Sequence, residues 1–94
     1  SPLVGLFSPN DLEAEIVVSP NPAGDVFQIQ VKSGKTTDYL LLLNDLQGRL
    51  VLQQTVNGQS DFSTTFRVAD LPAGQYVLTV TSPEGLRALT VVKQ

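Results

Sequence analysis

From residue 25 onward, apolar side chains fall on every second position, and that spacing leaves little room for a helix. Phe27, Ile29 and Val31 alternate with Gln28, Gln30 and Lys32; Phe62, Thr64, Phe66 and Val68 share one parity, as do Tyr76, Leu78 and Val80. Successive side chains of a strand point to opposite faces, so this pattern predicts strands with one buried and one wet face. Between the alternating runs stand turn residues: Pro20-Asn21-Pro22-Ala23-Gly24, Ser33-Gly34-Lys35, Asp45-Leu46-Gln47-Gly48, Asn57-Gly58, Leu71-Pro72-Ala73-Gly74 and Ser82-Pro83-Glu84-Gly85. Neither Pro20 nor Pro22 can donate to a ladder, so the first strand must stop there. The punctuation predicts seven short strands, at 14–19, 25–32, 37–44, 49–56, 61–69, 75–81 and 86–93. Such a series reads as an all-β, antiparallel β-sandwich. The third strand carries Leu on both faces, Leu40 to Leu43 in a row, and is expected at the centre or under cover.

Ninety-four residues make one domain. Residues 1–13 hold two Ser-Pro pairs, a Gly and an Asn-Asp step. They read as a linker, followed by the domain proper at 14–94. Within them Leu3, Val4, Leu6 and Phe7 form a short apolar patch, either part of a disordered leader or docked on the domain or a neighbour. The hydrophobic share of 41% permits a core. Nine acidic and six basic side chains are spread along the chain, for a net charge of −3. With no basic stripe, nucleic acid and an anionic membrane surface are poor partners. No apolar run approaches the roughly 18 residues of a membrane helix.

The composition removes most reactive chemistry. There is no Cys and no His, hence no thiolate nucleophile, no sulfur-ligated zinc and no imidazole base. Ser63, Thr64 and Thr65 lack a His partner for hydrolytic catalysis. The carboxylates Asp25, Asp45, Asp61, Asp70 and Glu84 sit beside turns, where their usual work is to accept from backbone N–H groups. A catalytic carboxylate pair would need a deep cleft, which a domain this small rarely has. Calcium held by loop oxygens stays open as an alternative, without any EF-hand-like cluster. No catalytic, cofactor-binding or metal site is assigned.

The stretch Asp70-Leu71-Pro72-Ala73-Gly74-Gln75-Tyr76 is a corner. Pro72 presets φ at the first central turn position, and Gly74 is free to take a positive φ. Immunoglobulin-like sandwiches place a Tyr at such a corner, its hydroxyl tied backward to the chain. Tyr76 is therefore expected to bury its ring and bond backbone near residues 70–72. Opposite the buried parity, Leu40, Leu42 and Val77 point outward, as a covered face, scattered exposure or an association surface.

Four pieces then align in order and spacing. Val18-Ser19-Pro20-Asn21-Pro22-Ala23-Gly24-Asp25 opens the fold. Leu43-Asn44-Asp45-Leu46-Gln47-Gly48-Arg49-Leu50-Val51 forms a central hairpin, Asp70 to Leu78 the corner, and Val91-Val92-Lys93-Gln94 stands last. Over residues 14–94 this closely resembles the C-terminal sorting domain of proteins exported by the type IX secretion system of Gram-negative bacteria. The resemblance implies an immunoglobulin-like sandwich that does no catalysis itself. It also implies an upstream cargo in the same chain, and recognition by an outer-membrane translocon. Removal would follow, by a sortase-like cysteine protease cutting within residues 1–13. The cargo would end on the cell surface, on an anionic lipopolysaccharide, or released. Members often carry a Lys just before the last apolar pair; here Thr90 stands there, with Arg87 upstream and Lys93 after.

On that resemblance, the translocon is expected to read Gly48 and Arg49, then Leu71, Pro72, Ala73 and Gly74, then Val91, Val92, Lys93 and Gln94. Pro20, Asn21, Pro22, Asp45, Gly48, Pro72, Gly74 and Tyr76 are expected to fix the corners. The competing reading is a fibronectin- or immunoglobulin-like spacer or carbohydrate-binding module, which would want aromatics exposed in line. Weak self-association through Leu40, Leu42 or the 3–7 patch also stays open.

Overall fold

The computed structural model describes residues 14–94, which form five antiparallel strands in one curled sheet. They are β1 (Glu15–Ser19), β2 (Val26–Asp45), β3 (Leu50–Arg67), β4 (Gly74–Ser82) and β5 (Gly85–Lys93). β3 runs along one edge of β2. β1 and then β4 follow each other along the opposite edge, and β5 lies outside β4. The leader and cleavage region expected at 1–13 lie outside the described residues.

The expectation of seven strands is corrected to five. The runs at 25–32 and 37–44 are the two limbs of β2, and those at 49–56 and 61–69 are the limbs of β3. The segments 33–36 and 57–60 do not leave the sheet. They bend it, and the β2–β3 register slips between Lys32 and Thr37 and again before Tyr39. Gly34 and Gly58 sit at this bend with φ of +73° and +65°, a region that costs other residues roughly 1–2 kcal/mol. The loop expected at Ser33-Gly34-Lys35 and the turn expected at Asn57-Gly58 are instead a kink between two paired limbs.

Ser33 holds the bend in place. Its hydroxyl donates to Ser60 O at 2.9 Å, accepts from Lys35 N at 3.2 Å and meets the hydroxyl of Tyr39. Asp61 accepts from Ser33 N at 3.2 Å, and Asp38 accepts from Gly58 N at 2.9 Å. These bonds give several polar groups at the kink the partners that the interrupted ladder withholds.

The alternation does its work in the core. Phe27, Ile29 and Val31 from the first limb of β2 are buried together with Leu41 and Leu43 from its second limb, Leu78 and Val80 from β4 and Val91 from β5. One cluster joins both limbs, so the sheet folds its apolar face inward. Phe27 stands opposite Phe66 in the ladder, ring centroids 5.7 Å apart in an edge-on arrangement. Tyr39 packs on Phe62 at 5.0 Å. The long Leu run is the pivot of the second limb, flanked by β3 and β4. Leu41 and Leu43 face in; Leu40 is exposed and Leu42 half-buried.

A candidate docking end built from four segments

At the end of the sheet away from the bend, four sequence-marked segments meet. Asp45 on β2 stands opposite Tyr76 on β4, and Tyr76 stands opposite Val91 on β5. Gly74 faces Lys93, and Ala23 bridges to Lys93 on the far side. Gly48 and Arg49, the corner from Leu71 to Gly74, and Val91 to Gln94 therefore share one end of the molecule.

The hairpin is a tight turn with a built-in anchor. Gly48 N donates to Asp45 O at 3.0 Å, and Gly48 has φ of +85°, a type I turn closed by a left-handed glycine. Asp45 Oδ1 accepts from Gln47 N at 3.0 Å and Arg49 N at 2.9 Å, while Oδ2 accepts from Arg49 Nε at 2.8 Å. These bonds, the Arg49 backbone N–H first, hold the Asp45 carboxyl below its ordinary value of 3.8. Arg49 remains 77% exposed at its side chain, so its charge is presented outward.

At the corner, Tyr76 is buried and its hydroxyl donates to Pro72 O at 2.6 Å. Leu71 N donates to Val68 O at 3.0 Å, closing the turn that precedes it. Gly74 has φ of +149° where β4 opens, a positive φ that favours glycine. An open hollow of about 530 Å³ lies between hairpin and corner, lined by residues including Leu46, Arg49, Pro72, Ala73 and Gln75. Leu46 and Leu50 beside it are 65% and 51% exposed.

The Pro20–Ala23 segment, expected only as a corner, also pairs with the end of β5. Asn21 Oδ1 accepts from Val92 N at 3.0 Å, and Asn21 Nδ2 donates to Thr90 O at 3.4 Å. Ala23 N donates to Val92 O at 2.7 Å, and Gln94 N donates to Ala23 O at 2.8 Å. The Asn21 amide thus imitates one peptide unit of a neighbouring strand. A signal was present: an Asn between two prolines, both without N–H, leaves its side chain to do the pairing.

The two basic residues of β5 lie towards opposite ends of the sheet. Arg87 is half-buried and donates from Nη1 to Ala14 O at 3.2 Å, across to the other limb. Lys93, opposite Gly74, donates from Nζ to Gln94 O at 2.9 Å. The Thr90 carbonyl accepts from Asn21 Nδ2.

The remaining candidates do not converge. No group of three metal-ligating side chains occurs among the described residues. Asp38, Asp45 and Asp61 are tied to backbone N–H groups, and Glu84 pairs with Lys35 at 3.3 Å near the bend. The described aromatics are buried or half-buried, so they make no exposed row.

Fold and geometry define the class first: an antiparallel β domain whose marked segments meet at one end through backbone pairing. The model of the secretion system C-terminal sorting domain matches residues 17–94. The chain belongs to that family, the sorting domains of type IX secretion. Membership marks it as a signal for export to the cell surface or the medium, in a family that is non-catalytic in general. Among solved structures, the crystal structure of dimeric latent PorU from Porphyromonas gingivalis is similar, at 18% identity and a TM-score of 0.64. That match covers 85% of this chain and 9% of the other, and at such identity the likeness is one of fold. Comparison with curated proteins gave no match.

Proposed function

We propose that this domain is read by the outer-membrane translocon of type IX secretion at the end where hairpin, corner and the 91–94 segment meet. The observation that carries the reading is the shared register Asp45–Tyr76–Val91, with Gly74 and Ala23 both at Lys93. Gly48, Arg49, Leu71 to Gly74, and Val91 to Gln94 then form one cargo-independent surface that carries the basic side chains of Arg49 and Lys93. The doubled-over sheet serves as an immunoglobulin-like sandwich in which β2 and β3 each contribute to both layers. A cargo domain precedes it in the same chain. After passage a sortase-like cysteine protease cuts within residues 1–13, and the cargo is retained at the surface or released. Pro, Ser and Gly in that segment suit the extended, accessible chain that proteolysis needs.

A reporter fused ahead of residues 1–94 tests the reading, beside one whose domain ends at Ala88. The expected result is surface reporter with the full domain and periplasmic retention with the short one. Equal display by both would remove the 91–94 segment from the signal. Mass analysis of the released reporter should place its new end within residues 1–13.

A further inference from the structure

Of the asparagines in the chain, only Asn57 is followed by glycine. An Asn-Gly step can close on itself, because no Cβ on the glycine crowds the approach of its nitrogen to the side-chain amide carbon. The other described asparagines are poorly placed for this. Asn21 precedes Pro22, which has no N–H to give up. Asn44 precedes Asp45, whose N–H donates to Arg49 O at 3.0 Å, while Asn44 Nδ2 donates to Gly48 O at 3.1 Å. Asn57 is exposed and sits where the ladder slips. With Gly58 it lies between the pairs Thr37–Gln59 and Tyr39–Val56, so two residues of β3 oppose Asp38 alone. The Gly58 N–H is held there by a side chain, donating to Asp38 Oδ1 at 2.9 Å.

We propose that Asn57 is a deamidation site and that Asp38 is the positioning residue that guards it. In the reaction the Gly58 nitrogen bonds to Asn57 Cγ, and Asn57 Nδ2 leaves as ammonia with the proton that Gly58 gives up. Water then opens the cyclic imide at either carbonyl, leaving aspartate or isoaspartate. The Asp38 carboxylate opposes the first step in two ways. Its hydrogen bond keeps the Gly58 nitrogen turned towards β2, so that bond must break before the nitrogen reaches Cγ. The attacking nitrogen must also lose its proton, and a carboxylate within bonding distance disfavours a second negative charge beside it. Once the guard is lost, isoaspartate lengthens the main chain of β3 inside the kink and sets a new carboxylate next to Asp38. The pairing on either side of the slip then loosens.

Peptide mapping by mass spectrometry tests this, on the 94-residue chain incubated at mildly alkaline pH, with Asn44 as the internal reference. Asn57 should deamidate more slowly in the folded chain than in the same chain held unfolded in urea. Asp38→Ala should raise the folded rate at Asn57 on the order of tenfold, as expected for losing a hydrogen bond to a charged group. Asp38→Asn keeps an acceptor and drops the charge, so its rate should fall between the two. Amide exchange separates a local guard from a loosened fold: Asp38→Ala should speed exchange at Gly58 while Leu41 and Leu78 change little, and the rate at Asn44 should stay as in the parent. A folded parent that deamidates at the unfolded rate would overturn the proposal. So would an Asp38→Ala rate at Asn57 no higher than the parent's, including the lower rate expected if the carboxylate served as the base. Equal acceleration of Asn44 and Asn57 would overturn it as well, since the effect would then be global.

Discussion

Tyr76 shows what one side chain does for the docking end. Its ring fills the core where β2, β4 and β5 align, and its hydroxyl fixes the corner through Pro72 O. Tyr76→Phe keeps the ring and drops the bond, leaving a carbonyl unpaired in a part-buried place. Urea denaturation should show a loss of about 1 kcal/mol; an unchanged midpoint would mean the hydroxyl contributes nothing. Asn21 can be tested in the same manner. Asn21→Ala frees Val92 N and Thr90 O, so the Val92 amide should exchange with solvent faster while core amides such as Leu78 change little. Asp45 adds a pH dependence. Its pKa is depressed in the fold, so its contribution is present above the ordinary carboxylate value and fades as pH falls through the lower, folded one. A carboxyl-carbon titration by NMR should find Asp45 ionising below the ordinary aspartate value, and Asp45→Asn should flatten the acid limb of hairpin stability. These three residues differed in legibility. Tyr76 and Asp45 announced themselves by local turn chemistry. The partners of Asn21 are about 70 residues away in sequence, and nothing local encodes that distance.

At the scale of elements, the alternation identified almost every buried face, because side-chain period two survives a bend. Strand count was the part that failed. A Gly flanked by polar residues reads the same whether the chain reverses or kinks. What decides is whether the next run finds the same neighbour, and β2 and β3 do so on both sides of the bend. Gly34 and Gly58 are where this has a measurable cost. A Cβ at either would meet nothing within 4 Å, so the penalty for Gly58→Ala is conformational alone, roughly 1–2 kcal/mol. Gly58→Asn should cost less, since Asn tolerates the left-handed region better. Equal stability of Gly58→Ala and the parent in thermal melts would contradict the kink.

The whole molecule depends on one apolar cluster shared by two limbs. Leu78→Ala, at a fully buried position, should cost roughly 2–5 kcal/mol. Val17, 46% exposed, should tolerate Val17→Ala with a far smaller loss. The sorting account adds a different demand: function should follow the chemistry of one end, while stability follows the core. Composition had already removed catalysis by thiol or imidazole, and four scattered motifs pointed to export. Their convergence was illegible in the sequence, because it arises from cross-strand register and from Ala23 closing on the last strand. The most direct measurement is therefore surface display of a reporter carrying paired charge reversals of matched stability. Arg49→Glu with Lys93→Glu alters the docking end; Lys32→Glu with Lys35→Glu alters the bend end by the same charge. The account predicts that the first pair holds the reporter in the periplasm and the second leaves display near the parent level. Equal display from both, or loss from the bend-end pair alone, would contradict it.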